Sequence, residues 1–357
     1  MELKFELTKN PKRIPTSEEL TRTHFGTLFT DHMLIIDYEK SKGWHDARVV
    51  PYGPLAFEPA SCCFHYGQLI FEGLKAYKTK DGCAVIFRPE QNMIRMNESC
   101  ERMCIAKIDE REFLEAIAAL VKTDSAWIPT GLGTSLYVRP FIVANEAFLG
   151  VHPSNSFIFM TILSPVGPYF TSGLSPVRIY VEDKYVRAVR GGTGFVKCAG
   201  NYAASLKSQE EADAAGYSQV LWLDGVERKY IEEVGGMNIA FVIDGELVTP
   251  ELNGSILPGV TRKSVIELVK SWGKPMIERK ISIQELAGLH KAGRVSEAMA
   301  IGTAAVICPV GELKWGGDVM IFNNGKIGPV AQRLYDEITA IQTCDAPDKF
   351  GWVYEVK

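Results

Sequence analysis

The 357-residue chain lacks the marks of several large function classes. No apolar run approaches the ~20 residues that a membrane-crossing helix needs. The longest, such as 157–163, reach only strand length. No block of like charge stands out. Lys+Arg 39 against Asp+Glu 43 gives a net charge of −4, which offers no basic stripe to nucleic acid or to an anionic membrane. The eight cysteines follow no CxxC or zinc-ribbon spacing, and Cys62-Cys63 is too cramped for a routine disulfide. The start, MELKFELTKNPKR, has no apolar signal-peptide core, so reduced thiols and a cytoplasmic location are expected. The six histidines form no HExxH or similar pair, and no metal is expected. GGTGFVK is glycine-rich but misses the GxxxxGK[ST] spacing of a phosphate-cradling loop, which excludes a nucleotide hydrolase of that type.

What is present is ample core material, 46% hydrophobic over a length suited to about two domains. Phe113, Leu114, Ile117, Leu120 and Val121 recur at helical spacing over 111–126. Segments 33–36, 135–144, 157–163, 219–223 and 237–243 are rich in β-branched and aromatic residues and read as strands. Asp224-Gly225, Asp244-Gly245 and Asn324-Gly325 read as hairpin turns. Asn201 reads as the cap of a helix ending at Gly216. The densest breaker cluster, PVGPYFTSGLSP over 165–176, marks an interdomain linker. Mixed hairpins and helices predict α+β architecture. The expected division is a smaller domain over 1–170, a linker over 171–182 and a larger domain over 183–357.

One stretch carries unusual chemistry: RAVRGGTGFVKCAGNY, residues 187–202. Lys197 lies in an apolar, glycine-punctuated run. Desolvation there would lower an amine's pKa and make it a nucleophile able to form a Schiff base, and Arg187 and Arg190 would push the same way if close. On its own the stretch is better read as a flexible loop with a surface lysine. Three downstream features share a logic with it. Glu232-Glu233-Val-Gly-Gly-Met-Asn238 places carboxylates at a strand end, where Glu233 suits a protonated pyridine nitrogen and Glu232 reads as a solvated strand-edge residue. Leu257-Pro-Gly-Val260-Thr261 opens a helix with unpaired amides and a hydroxyl, a phosphate site by geometry. Gly302-Thr303-Ala304 offers further amides and a hydroxyl. Each alone is an ordinary turn or helix start.

Together these segments, with FGTLFTDHM, HYGQLIFEGLKAY, SLYVRP, SPVGPYF and IGTAAVICPV in order, resemble the branched-chain amino acid aminotransferases, fold-type IV pyridoxal-phosphate enzymes. The resemblance runs from about Phe25 to the C-terminus. It implies a two-domain fold with a smaller N-terminal α/β domain and a larger, pseudo-barrel-like C-terminal domain, assembled as a homodimer. It also implies transfer of the amino group between leucine, isoleucine or valine and 2-oxoglutarate. Lys197 would bind the cofactor covalently and shuttle the proton. Tyr202 would bond the phenolate oxygen and Glu233 the ring nitrogen. Arg95, otherwise a helix-surface arginine, would meet the phosphate with Val260, Thr261 and Thr303. Phe25, Phe71, Tyr137 and Tyr169 would wall the side-chain pocket, with Tyr66 inserted from the partner subunit. Arg139 would receive the distal carboxylate of glutamate, and Thr303 and Ala304 the α-carboxylate.

Two departures qualify the pattern. Where some members carry Cys-x-x-Cys, this chain has Ala305-Val-Ile-Cys308, so no dithiol switch is expected there. Gly236 stands where those members place a threonine, which leaves substrate carboxylate binding to backbone amides. The alternatives are another fold-type IV activity, such as a D-amino acid transaminase or an aminodeoxychorismate lyase, and a pyridoxal-phosphate-binding protein without turnover.

Overall fold

A computed structural model of the chain describes residues 1–168 and 174–357; Tyr169 lies outside them. The fold has two compact units. One holds Met1–Thr171, Val196–Ala199 and Ala340–Lys357; the other holds Ser172–Phe195 and Gly200–Thr339.

The first unit is built on a nine-stranded sheet whose centre is the long antiparallel pair Ser135–Ala144 and Ser156–Val166. These are the segments with the strongest β-branched and aromatic content, and their near-continuous burial is what such composition allows. His32–Glu39 and Gly43–Pro51 extend the sheet on one side. Leu74–Lys78, Ala84–Phe87 and Val353–Glu355 extend it on the other. Helix Glu110–Thr123 lays Phe113, Leu114, Ile117, Leu120 and Val121 into the core, as their 3.6-residue spacing predicts. Phe113 meets Phe159 of the sheet edge-to-face at 4.8 Å. Helix Pro89–Arg102 begins with proline at its first position, after Arg88 in the left-handed region at φ 48°. Arg88 is held by the C-terminal segment: its amide donates to Trp352 O and its guanidinium covers the Trp352 ring.

The second unit also has a nine-stranded sheet, and part of it closes on itself. Ile231–Val234 pairs with both Gln219–Leu223 and Met237–Ile243. The ring then continues through Val295–Gly302, Val306–Trp315 and Val177–Glu182. Closure removes free strand edges and gathers the ends of neighbouring strands at one rim. The α+β class and the barrel-like second sheet are thus both present.

Of four local expectations, one is met and three are not. Asp244-Gly245, at φ 52° and 81°, is the two-residue hairpin that a type I′ turn requires. Asp224-Gly225 opens a wider loop, because the Asp224 carboxylate collects the amides of Val226, Glu227, Lys229 and Tyr230. Asn324-Gly325 is no hairpin: it sits in a short 3-10 turn, Asn323–Gly325, that leads to helix Pro329–Gln342. Asn201 caps no long helix. It is buried within Ala199–Ala203, bonded to Thr193, and a separate helix runs over Leu206–Ala214.

Candidate active site

In the first unit Val196–Ala199 is bound to the sheet side. Phe71 N–H donates to Lys197 O at 3.0 Å, Lys197 N–H donates to Ser99 Oγ at 3.1 Å, and Ile70 bridges Cys198. This fixes the backbone of Lys197 rather than leaving it on a flexible loop. Its Nζ stands over the Phe71 ring at 4.7 Å. The amine is lowered from 10.5 to about 8, chiefly by burial and then by the Arg95 charge, with Arg139 adding to them and Glu72 and Tyr137 opposing. The cations responsible are therefore Arg95 and Arg139, whereas Arg187 serves another carboxylate.

Around Lys197 three of the predicted aromatic residues, Phe25, Phe71 and Tyr137, converge. Arg139 covers Phe71 at 4.7 Å and Tyr137 at 5.2 Å, and its Nη2 donates to the Tyr137 hydroxyl at 3.1 Å. Phe25 meets Tyr137 edge-to-face at 4.9 Å. Gly73 makes room for this tyrosine: a Cβ there would lie 2.0 Å from its hydroxyl. Tyr66 stays outside the cluster, on helix Cys62–Tyr66, with its hydroxyl donating to Leu149 O.

Arg95 is no helix-surface arginine. It is buried, and its Nε and Nη2 both donate to Glu72. Glu72 is fully buried; burial is the largest influence and would raise its carboxyl, but the Arg95 charge and hydrogen bonds, with Lys197 and Asn92, together outweigh it and hold the carboxyl low. The motif FEGLKAY contains Glu72, but nothing in the sequence points to its partner.

In the second unit Glu233 is buried at the strand end Ile231–Val234. Its Oε2 pairs with Arg187 Nε at 2.7 Å, and its Oε1 accepts from Leu257 N–H at 3.0 Å and Asn238 Nδ2 at 3.4 Å. Arg187 also donates to the carbonyls of Gly194 and Ser255. Glu232 is buried as well, accepting from Ser255 Oγ and Asn253 Nδ2, which corrects its reading as a solvated edge residue. Strand order aligns Glu233, Asn238 and Ile301 side by side, with Gly302, Thr303 and Ala304 following. Helix Val260–Ser271 starts beside them. Gly259 is its cap and supplies no side-chain acceptor, so the first amides of the helix keep the donor character of a helix start. A Cβ on Gly259 would lie 2.1 Å from Asn238 Oδ1, so the helix end packs this close only with glycine. Tyr202 lies against Gly236, where a Cβ would be 3.6 Å from its ring.

The amino-transferase class IV family matches residues 69–313. Branched-chain-amino-acid aminotransferase 2 of Bacillus subtilis is 54% identical over 354 residues, 99% of this chain and 97% of that protein. The chain belongs to the branched-chain-amino-acid aminotransferase family. A probable branched-chain-amino-acid aminotransferase of Staphylococcus aureus is 52% identical, covering 98% of this chain and 97% of that protein. The crystal structure of the Escherichia coli branched-chain amino acid aminotransferase superposes with TM-score 0.77 at 28% identity, over 92% of this chain and 99% of that one. A branched-chain aminotransferase from the thermophilic archaeon Thermoproteus uzoniensis, solved with norvaline, shares the fold at TM-score 0.76 and 24% identity, over 91% of this chain and 100% of that one.

The cofactor of this aminotransferase fold is pyridoxal 5'-phosphate, and the groups present fit its parts. The first unit offers a lowered amine suited to its carbonyl carbon and a buried guanidinium suited to a phosphate; the second offers helix-start amides suited to a phosphate and a buried carboxylate suited to a protonated ring nitrogen. Among the described residues no metal-binding cluster is found, and no helix is long and apolar enough to cross a membrane.

Proposed function

We propose that the chain moves the amino group between leucine, isoleucine or valine and 2-oxoglutarate by a ping-pong mechanism. Lys197 carries the chemistry, and the observation behind this is its amine, lowered to about 8 against Phe71, Tyr137 and Arg139. When bound, the cofactor ring withdraws electrons from the substrate Cα. Lys197 Nζ attaches the cofactor. With the cofactor held there, the Lys197 Nζ would also be the base that carries the proton between the substrate Cα and the cofactor's C4′. An amine near 8 suits both directions of that transfer close to neutral pH. Glu233 holds the ring nitrogen protonated. Its carboxylate stays charged for that role beside Arg187, with Leu257 N–H and Asn238 Nδ2 donating to it. Tyr202 donates to the phenolate oxygen. Arg95, the amides of Val260 and Thr261, and Thr303 hold the phosphate.

Phe25, Phe71 and Tyr137 exclude water around the branched side chain, whose burial is worth roughly 1.5–3 kcal/mol. Arg139 turns to the distal carboxylate when glutamate occupies the same pocket; its Nε has no hydrogen-bond partner among the described residues, which supports this role. Thr303 and Ala304 receive the α-carboxylate. The protein works as a cytoplasmic homodimer in which Tyr66 serves the partner's pocket. Exposed Phe64, Phe148 and Leu149 near Tyr66 form the apolar surface that such a contact needs.

An absorbance spectrum of the purified holoenzyme tests the reading. L-leucine and L-glutamate should each bleach the yellow band, and D-alanine should not. Bleaching by D-alanine alone would transfer the assignment to a D-amino acid transaminase. A protein that never turns yellow with added cofactor would remove Lys197 from the mechanism.

A further inference from the structure

The roles assigned to Arg95 and Lys197 leave one fully buried carboxylate unused. Glu72 follows strand Leu69–Phe71, and its two oxygens take four donors: Arg95 Nε at 2.8 Å, Arg95 Nη2 at 2.7 Å, Asn92 Nδ2 at 2.8 Å and Gly73 N–H at 3.3 Å. Asn92 and Arg95 are three residues apart on helix Pro89–Arg102, so the carboxylate grips one face of that helix. A buried ion pair is weak as a source of stability, because desolvation offsets its attraction. Its geometry, however, is restrictive: two parallel N–H···O bonds fix both the plane and the rotamer of a guanidinium.

We propose that Glu72 is a positioning residue for cofactor binding, holding the Arg95 guanidinium in the one orientation in which it meets the phosphate. This rests on Arg95 as the phosphate arginine. The competing reading is that Glu72 only neutralises a buried cation. The two differ in sign. Removing the Glu72 charge leaves the surroundings of Arg95 more positive, which by field alone strengthens the attraction for a phosphate dianion. Losing the fork weakens it.

The test compares affinities of the full-length apoprotein for pyridoxal 5'-phosphate and for pyridoxal, which lacks the phosphate, in phosphate-free buffer by absorbance titration. Effects passing through Lys197 act on both ligands and cancel in the ratio. Glu72→Gln, nearly isosteric, should lower the phosphate-to-pyridoxal affinity ratio by about tenfold, and should add nothing in an Arg95→Met background. An unchanged or raised ratio in Glu72→Gln, with Arg95→Met still lowering it, would overturn the positioning role and leave Arg95 on the phosphate. If Arg95→Met leaves the ratio untouched, the phosphate role of Arg95 fails and the positioning role with it. Glu72→Asp keeps the charge and retracts the oxygens by one methylene, so it serves where the glutamine variant does not fold. Its ratio should also fall, and a wild-type ratio there refutes the proposal.

Discussion

Lys197 is held in a place that costs the folded apoprotein stability, and replacing it should make the protein more stable as it becomes inactive. The amine falls from 10.5 to about 8, chiefly through burial. At 1.4 kcal/mol per pH unit, keeping it protonated at pH 7 costs the folded state about 3 kcal/mol. Lys197 is half-buried rather than sealed, so solvent screening lowers the figure to about 1–3 kcal/mol. Between about 8 and 10.5 the unfolded chain holds a proton that the folded chain has released. Stability from this group therefore rises with pH through that window and is lowest below it. Lys197→Met keeps the stem and removes the charge. The expected result is a rise in the melting temperature of the apoprotein of about 2–4 °C at pH 7, shrinking towards zero by pH 10.5. Circular dichroism melts of both proteins at pH 7 and pH 10 measure it. The reasoning is refuted by an unchanged or lower melting temperature at pH 7, or by a gain that persists undiminished at pH 10.

Two further substitutions probe the neighbouring geometry. Glu233→Gln leaves a neutral acceptor beside Arg187 and should retain bound cofactor while slowing the leucine half-reaction by about a hundredfold, measured by single-turnover absorbance; normal turnover would show that the ring nitrogen needs no carboxylate. Gly73→Ala puts a Cβ 2.0 Å from the Tyr137 hydroxyl, so the ring must leave its place against Phe25 and Arg139. The KM for leucine should rise about tenfold with cofactor affinity intact, since an overpacked wall typically costs about 1–3 kcal/mol; an unaltered KM would remove Tyr137 from the pocket.

Much of the fold is legible because its elements are locally consistent. The apolar spacing in 111–126 can bury only one face, and the β-branched runs at 135–144 and 157–163 suit only a covered strand. The closed second sheet is harder to read. Val177–Glu182 lies parallel to Val306–Trp315, and no local pattern names a partner so far along the chain. Asn324-Gly325 misleads for a related reason. The dipeptide permits the turn, but a hairpin also needs a strand after it, and here a proline-led helix follows.

The site divides along the same line. Lys197, Glu233 and Thr261 are singled out by the glycines and apolar neighbours around them, although each stretch alone reads as an ordinary loop, turn or helix start. Arg95, Arg187 and Glu72 are not, since their chemistry resides in pairings across the fold. Arg95 meets Glu72 only when strand Leu69–Phe71 runs beside helix Pro89–Arg102, and Arg187 finds Glu233 across a gap of 46 positions. The consequence is a division of labour between cations that the sequence presents as one group. Arg95 and Arg139 lower the Lys197 amine, while Arg187 neutralises the carboxylate assigned to the ring. The same arrangement recurs in each unit: Glu72 is held by the Arg95 guanidinium and the Asn92 side-chain amide, and Glu233 by the Arg187 guanidinium and the Asn238 side-chain amide, so each buried carboxylate keeps its charge beside a cation that is itself oriented by it.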